Sequence, residues 1–262
     1  MARGLCGIGK EKIDMLTYFI ICPLVFLAGF VDAIAGGGGL ISLPAYMIAG
    51  IPVHQAIGTN KLSSATGTLV STVRYCKRNH MDLLIGIPSI VVALVGSAVG
   101  ANLALLTSAA ILKGCLVVVL PVIAFYILKK KPEQKEGARV LSRKVAIAIA
   151  IVVAFVIGMY DGFYGPGTGT FLLLFYTKAL KMDTLTASGN VKLVNLSSNV
   201  AALVTFIING KVLFILGLVA SIFSIAGHYT GSEMVLKKDS RIVKPVILVV
   251  LVLLFIKVIS EW

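Results

Sequence analysis

The sequence predicts an all-α integral membrane protein made of two homologous repeats, each holding a helix broken at a glycine-rich motif. Three observations lead there. Of 262 residues, 58% are hydrophobic and 13% charged, with mean hydropathy +0.99; a soluble domain is about 45–50% apolar and about 25% charged. The apolar runs are about 17–25 residues long, the length of helical spans and not of the ~10-residue alternating strands of an outer-membrane barrel. A polar break, Phe30-Val-Asp-Ala-Ile-Ala-Gly-Gly-Gly-Gly39, returns mid-chain as Tyr160-Asp-Gly-Phe-Tyr-Gly-Pro-Gly-Thr-Gly169.

The elements follow in order. A polar lead, 1–14, precedes an apolar run at 15–35 that ends in the first break. Glycine costs about 1 kcal/mol against alanine inside a helix, so the helix stops there. Residues 38–50 form a segment too short to cross straight. Runs at 53–75, 83–106 and 111–128 complete the first repeat, 15–128. The charged stretch 129–144 links it to the second repeat, 145–260. There, 145–164 leads to the second break, 168–177 is short, and 184–208, 212–236 and 242–259 follow. About eight spans result, within one membrane domain covering 1–262. The N-terminal run resembles a signal peptide, with Ala33-Ile-Ala35 in the place of a cleavage site. Its internal twin argues that it is structure.

The duplication is visible in single residues. Adding 131 to Gly58, Gly67, Gly86, Gly96 and Gly100 gives Gly189, Ser198, Gly217, Gly227 and Gly231, four matches where chance gives about one in ten each. Lys61 and Lys192 share that offset. With a two-residue gap, Gly29, Asp32, Gly36 and Gly38 match Gly158, Asp161, Gly165 and Gly167.

Topology turns on the breaks. If each broken pair enters and returns, each half crosses three times and the halves are inverted, as in many secondary transporters. Both termini then lie outside, with sixteen loop Lys and Arg inside and six outside. Counting each pair as one crossing puts both termini inside with a split of fifteen to seven. Inversion is the preferred reading.

The net charge of +13 sits in short loops between spans, as the positive-inside rule requires, so nucleic acid is not an expected partner. The four cysteines lack ligand spacing, and no nucleophile–base set appears. No enzyme activity, catalytic residue, cofactor or metal is therefore expected. His54, His80 and His228 show no ligand spacing, and His228 is read as a packing residue.

The breaks carry the chemistry. A helix restarting after Gly38 or Gly167 offers backbone N–H groups and a partial positive charge to an anion. Lys61 and Lys192 cost about 2.5–3.5 kcal/mol each inside a span, so each faces a partner or a cavity; the alternatives are snorkelling to the interface from near the span's start, or simple neutralisation by Asp32 or Asp161. The candidate binding residues are Gly36, Gly37, Gly38, Gly39, Thr59, Asn60 and Lys61 in the first half. Gly165, Gly167, Thr168, Gly169, Asn190, Lys192, Asn195 and Asn199 are their counterparts in the second. Asp32 and Asp161 end their helices where the dipole disfavours negative charge, so each needs a cation, a proton or a cap. A proton would suit proton-coupled transport; a structural ion pair is the alternative. Both lysines are expected to face one pocket.

The runs Gly29-Phe-Val-Asp-Ala-Ile-Ala-Gly-Gly-Gly-Gly39, Ala56-Ile-Gly-Thr-Asn-Lys-Leu62 and Tyr160–Gly169 resemble the sulfite exporter TauE/SafE family of membrane permeases. The resemblance covers about 15–260. It implies a multi-pass transporter of the bacterial inner membrane, with about eight spans in two related halves. It also implies export or permeation of sulfite, sulfonates or related organosulfur anions. An anion channel and an intramembrane enzyme are the competing readings. The expected partners are a small anion and the lipid bilayer, with a homodimer left open.

Overall fold

Glycine sets the two corners around which the chain turns. A computed structural model describes residues 14–115, 118 and 142–236. Its helices are α1 (Met15–Ala35), α2 (Gly39–Ile48), α3 (Val53–Lys77), α4 (Leu83–Leu106), α5 (Arg143–Phe163), α6 (Thr168–Lys178), α7 (Thr184–Ile208) and α8 (Phe214–Leu236). Residues 109–115 are helical as well. The expected span at 242–259 lies outside the described residues, as do most of the span at 111–128 and of the loop at 129–144.

α1 stops because Gly36 adopts φ 75°, and its N–H closes on the Asp32 carbonyl. α6 starts after Gly167 at φ 81°. A side chain is strained in either conformation, which is why these corners are glycine. Asp183 caps α7, accepting from Leu185 N at 3.1 Å and Thr186 N at 3.0 Å.

Among the described residues, five helices, α1, α4, α5, α7 and α8, are long and apolar enough to cross a membrane. α3 is equally long, at 25 residues, but its middle is polar. α2 and α6, of 10 and 11 residues, are short. α3 and α7 both have 25 residues, α1 and α5 both 21.

The helices pack in matched pairs. Gly158 of α5 meets Ala93 of α4, and Gly162 meets Ser97, so these two helices run in the same direction. Gly96 and Gly100 of α4 receive the α5 backbone at Phe155, Met159 and Phe163. α8 repeats this on α1: Gly227 receives the backbone at Phe26 and Phe30, and Gly231 receives it at Phe30, again in parallel. A methyl at Gly227 would come within 2.8 Å of Phe30 N, so only glycine allows this approach. At the centre α3 and α7 run antiparallel. Gly58 faces Phe206, Lys61 meets Asn199, and Thr72 meets Lys192.

Two apolar clusters flank this centre. Ile21, Leu40, Tyr46, Ile57, Phe206 and Leu216 belong to one. Ile85, Ala154, Leu172, Tyr176 and Val194 belong to the other. The polar residues of α3 and α7 face each other between them. Many large apolar side chains on α4, α5 and α8, such as Val91, Val152 and Ile222, point outward, as lipid-facing positions do.

Candidate functional site

The two breaks meet. Thr170 N donates to the Gly36 carbonyl at 3.1 Å, and a methyl on Gly169 would lie 2.5 Å from Gly36 Cα. Around this contact the charges pair across the halves. Lys61 of α3 donates to Asp161 of α5 at 2.9 Å, and Lys192 of α7 donates to Asp32 of α1 at 2.8 Å. Each lysine is neutralised by an aspartate at least 100 residues away in the chain. Both lysine side chains are 2% exposed, while Asp161 is 6% and Asp32 15% exposed, so the lysines are buried and Asp32 reaches the cavity.

Each carboxylate is held by further donors. Asp161 accepts from Thr168 Oγ1 at 2.9 Å and Ser198 Oγ at 2.6 Å. Asp32 accepts from Gly38 N at 3.2 Å, and its second oxygen lies 3.2 Å from His228 Nε2. Lys192 also reaches the Asp32 carbonyl. Lys61 makes a further bond to Asn199 Oδ1 at 3.0 Å. Buried charges persist only when paired and hydrogen-bonded, and here both conditions are met.

A cavity opens beside the contact, with about 510 Å³ of empty space including its mouth. Asp32, Gly36, Gly38, Gly39, Asn60, Lys61, Asp161, Gly165, Thr168, Gly169, Asn195 and Asn199 line it. A smaller recess of about 180 Å³ lies against Asp32, Gly36, Gly169 and Lys192. The lysines therefore do not share one pocket. Thr72, the α3 neighbour of Lys192, is eleven residues beyond Lys61, about 16 Å along the helix. The antiparallel run of α3 and α7 separates the two lysines.

Several expected positions have other contacts. Thr59 accepts from Leu213 N at 3.0 Å. Asn190, with its amide turned to satisfy both partners, bonds Asp82 N at 3.2 Å and Asp82 O at 3.1 Å. Positions 59 and 190 differ by the repeat offset, as do 82 and 213, so the two residues clamp equivalent helix starts. Neither lines the cavity. Gly37 and Gly167 do not line it either; they shape the turns. The N–H groups expected to be free are partly taken, Gly38 by Asp32 and Thr170 by Gly36.

His228 is what the sequence reading missed. It lines the cavity, touching Asp32, Thr68 and Ser224, and fills the space over Gly29 and Gly67. The signal was present as an exception to the repeat, since position 97 in the first half is serine.

Comparison with known proteins identifies the family. The model of the family described as "Sulfite exporter TauE/SafE" matches residues 21–258. This chain belongs to the TauE/SafE family. Its relatives are named as transporters. It is 36% identical over 236 residues to the probable membrane transporter protein ORF9 of Sinorhizobium sp, covering 90% of each chain. It is 32% identical over 243 residues to the probable membrane transporter protein YfcA of Escherichia coli strain K12, covering 89% of each. A probable membrane transporter protein of Haemophilus influenzae is 31% identical over 249 residues, covering 95% of this chain and 96% of that one. No solved structure matches. Membership in TauE/SafE and five apolar helices of spanning length make this a multi-pass membrane protein of a transporter family.

Proposed function

We propose that the chain is a secondary transporter of small anions of the sulfite and sulfonate class, acting in a bacterial inner membrane. The observation that carries this is the pair of crossed salt bridges, Lys61–Asp161 and Lys192–Asp32, at the junction of two helix breaks. Ionisable residues inside a span mark a functional site by default, and these pairs border the cavity and the recess. The family name supplies the organosulfur class; the lysines, amides and glycine backbone suit any small oxyanion.

The halves are read as inverted repeats. α4 runs with α5, α8 runs with α1, and α3 runs against α7, the pattern of a two-fold axis across the helices. α2 and α6 are then re-entrant segments. The two lysines border spaces of unequal size that meet at Asp32, Gly36 and Gly169, about 510 Å³ at Lys61 and about 180 Å³ at Lys192, and this asymmetry suits a carrier. In the alternate state, the symmetry-related arrangement opens the recess and closes the cavity.

An anion entering the cavity competes with Asp161 for Lys61. Asn195 offers a further contact, for it lines the cavity and its side-chain NH2 can donate to an oxygen of the anion. The test is uptake of labelled sulfite and short sulfonates by proteoliposomes, with counterflow. A carrier accelerates exchange when unlabelled anion is trapped inside. Lys61→Met and Lys192→Met should weaken anion affinity about tenfold or more. Wild-type affinity in both would remove the lysines from the site.

A further inference from the structure

We infer that one proton is bound at the contact between His228 and Asp32, and that this proton makes the cavity a site for monovalent anions, so that anion and proton travel together. The inference rests on the transporter reading above.

The geometry of His228 leads to it. Nδ1 lies 3.0 Å from the Ser224 carbonyl, which only accepts, and 3.4 Å from the Ser224 hydroxyl; the shorter contact puts a hydrogen on Nδ1. Nε2 lies 3.2 Å from Asp32 Oδ2, and that carboxylate already accepts from Lys192 and Gly38. An unprotonated Nε2 would set a lone pair against a carboxylate oxygen. The contact to Asp32, shorter than the 3.5 Å one to Thr68 Oγ1, is satisfied by a hydrogen between the two atoms. Whether that hydrogen rests on Nε2 or on Oδ2, the charge of the group is the same.

Counting charge then decides what the cavity accepts. Lys61 and Asp161 cancel, and so do Lys192 and Asp32. The extra proton leaves +1. A monoanion neutralises the site; a dianion overshoots it. Without the proton the cavity is neutral and gives an anion no net attraction.

Among the described residues, the Asp161 pair has no such group. Asp161 is surrounded by donors, Lys61, Thr168 and Ser198, and the residue in the place of His228 is Ser97, which donates to the Ser198 carbonyl at 2.5 Å. Coupling is therefore confined to one of the two ion pairs. The surroundings of His228 are limited. α1 contributes Asp32 and α7 contributes Lys192 behind it. From α3 come Thr68 at 3.5 Å and Lys61 across the cavity, with buried Tyr75 beyond. Arg74 of α3 is occupied elsewhere on α8, stacked 4.2 Å over the Tyr229 ring and paired with Glu233.

The experiment uses wild-type protein in liposomes loaded with a pH-sensitive dye, with methanesulfonate, a permanent monoanion, and sulfate, a dianion, as substrates. Sulfonate entry should acidify the lumen with one proton per anion and be indifferent to an imposed membrane potential. Sulfate should move far more slowly. The Kd for sulfonate should rise about tenfold per pH unit on the alkaline side of the titration, the slope of one linked proton. In His228→Gln the amide still donates to Asp32 but releases no proton, so Kd should vary less than about twofold over roughly pH 5.5–8.5. Sulfonate flux that carries charge without protons, sulfate moving as fast as sulfonate, or wild-type pH dependence in His228→Gln each overturns the inference while leaving the transporter standing. Folded wild-type protein that moves no anion at all overturns both. If the variant fails to fold, the proton count on wild-type protein decides.

Discussion

Removing Lys61 leaves Asp161 buried without its cation, and this perturbation tests the crossed pairing directly. The pair is 2.9 Å apart, with side chains 2% and 6% exposed. At an effective dielectric of about 20 the attraction is worth roughly 6 kcal/mol before the cost of desolvating both groups. Breaking one side of such a pair costs about 3–5 kcal/mol, because the remaining charge has nothing to neutralise it. Thr168 and Ser198 still donate to Asp161, which keeps the loss toward the lower end. Removing both charges is cheaper, since no ion is left stranded. Lys61→Met and Asp161→Leu should each destabilise the protein by about 3 kcal/mol or more, and the double variant by less than the sum, with a coupling of about 2 kcal/mol or greater. Reversible unfolding of purified protein in mixed micelles, read by tryptophan-independent thiol accessibility or circular dichroism, gives the four stabilities. A coupling under about 0.5 kcal/mol would refute the claim that the two residues neutralise each other. The cycle should give the same sign for Lys192 and Asp32. It should give no coupling for Lys61 with Asp32, which are not paired.

Three further outcomes follow from particular contacts. Thr59→Val and Asn190→Leu remove clamps on the starts of α8 and α4, and each should cost about 1–3 kcal/mol of stability with anion affinity unchanged, as unfolding and binding titrations would show. Gly227→Leu forces a side chain into the α1 backbone and should lower stability by about 1–3 kcal/mol or more, visible as a reduced melting temperature. Asn195→Leu should leave the melting temperature near wild type, because its carbonyl end has no protein partner to lose, yet weaken anion binding by about tenfold, because the NH2 donor at the cavity is gone.

Much of the helical frame was legible before the structure. Helix starts at 53, 83 and 184, and the stop at 35, follow from Pro52, Asp82, Asp183 and the glycine run, which act within one turn of chain. The lysines stood out because their cost in an apolar run needs no partner to be recognised. What could not be read was who meets whom. Lys61 pairs with a residue 100 positions away only because α3 and α7 cross antiparallel and the two breaks touch. The same juxtaposition turns Thr59 and Asn190 toward loops and separates the two lysines. Both were expected at one pocket, since offset alone carries no direction. His228 looked like packing because a lone histidine in a span has no local pattern. Only its serine counterpart at 97 marked it, and that is an absence of symmetry where every other cue was its presence.

The exchange of partners between halves has a consequence for how the protein is made. While the first half is synthesised, Lys61 waits in the membrane for an aspartate a hundred residues further along, and Asp32 waits longer still for Lys192. Neither half can discharge its own ions. A half-length polypeptide would hold a lysine and a carboxylate without the partners they have in the whole chain. Co-production of the two halves as separate chains should restore both, each acting as the other's chaperone. Correct assembly is thus read out as electroneutrality, at one place, late in synthesis.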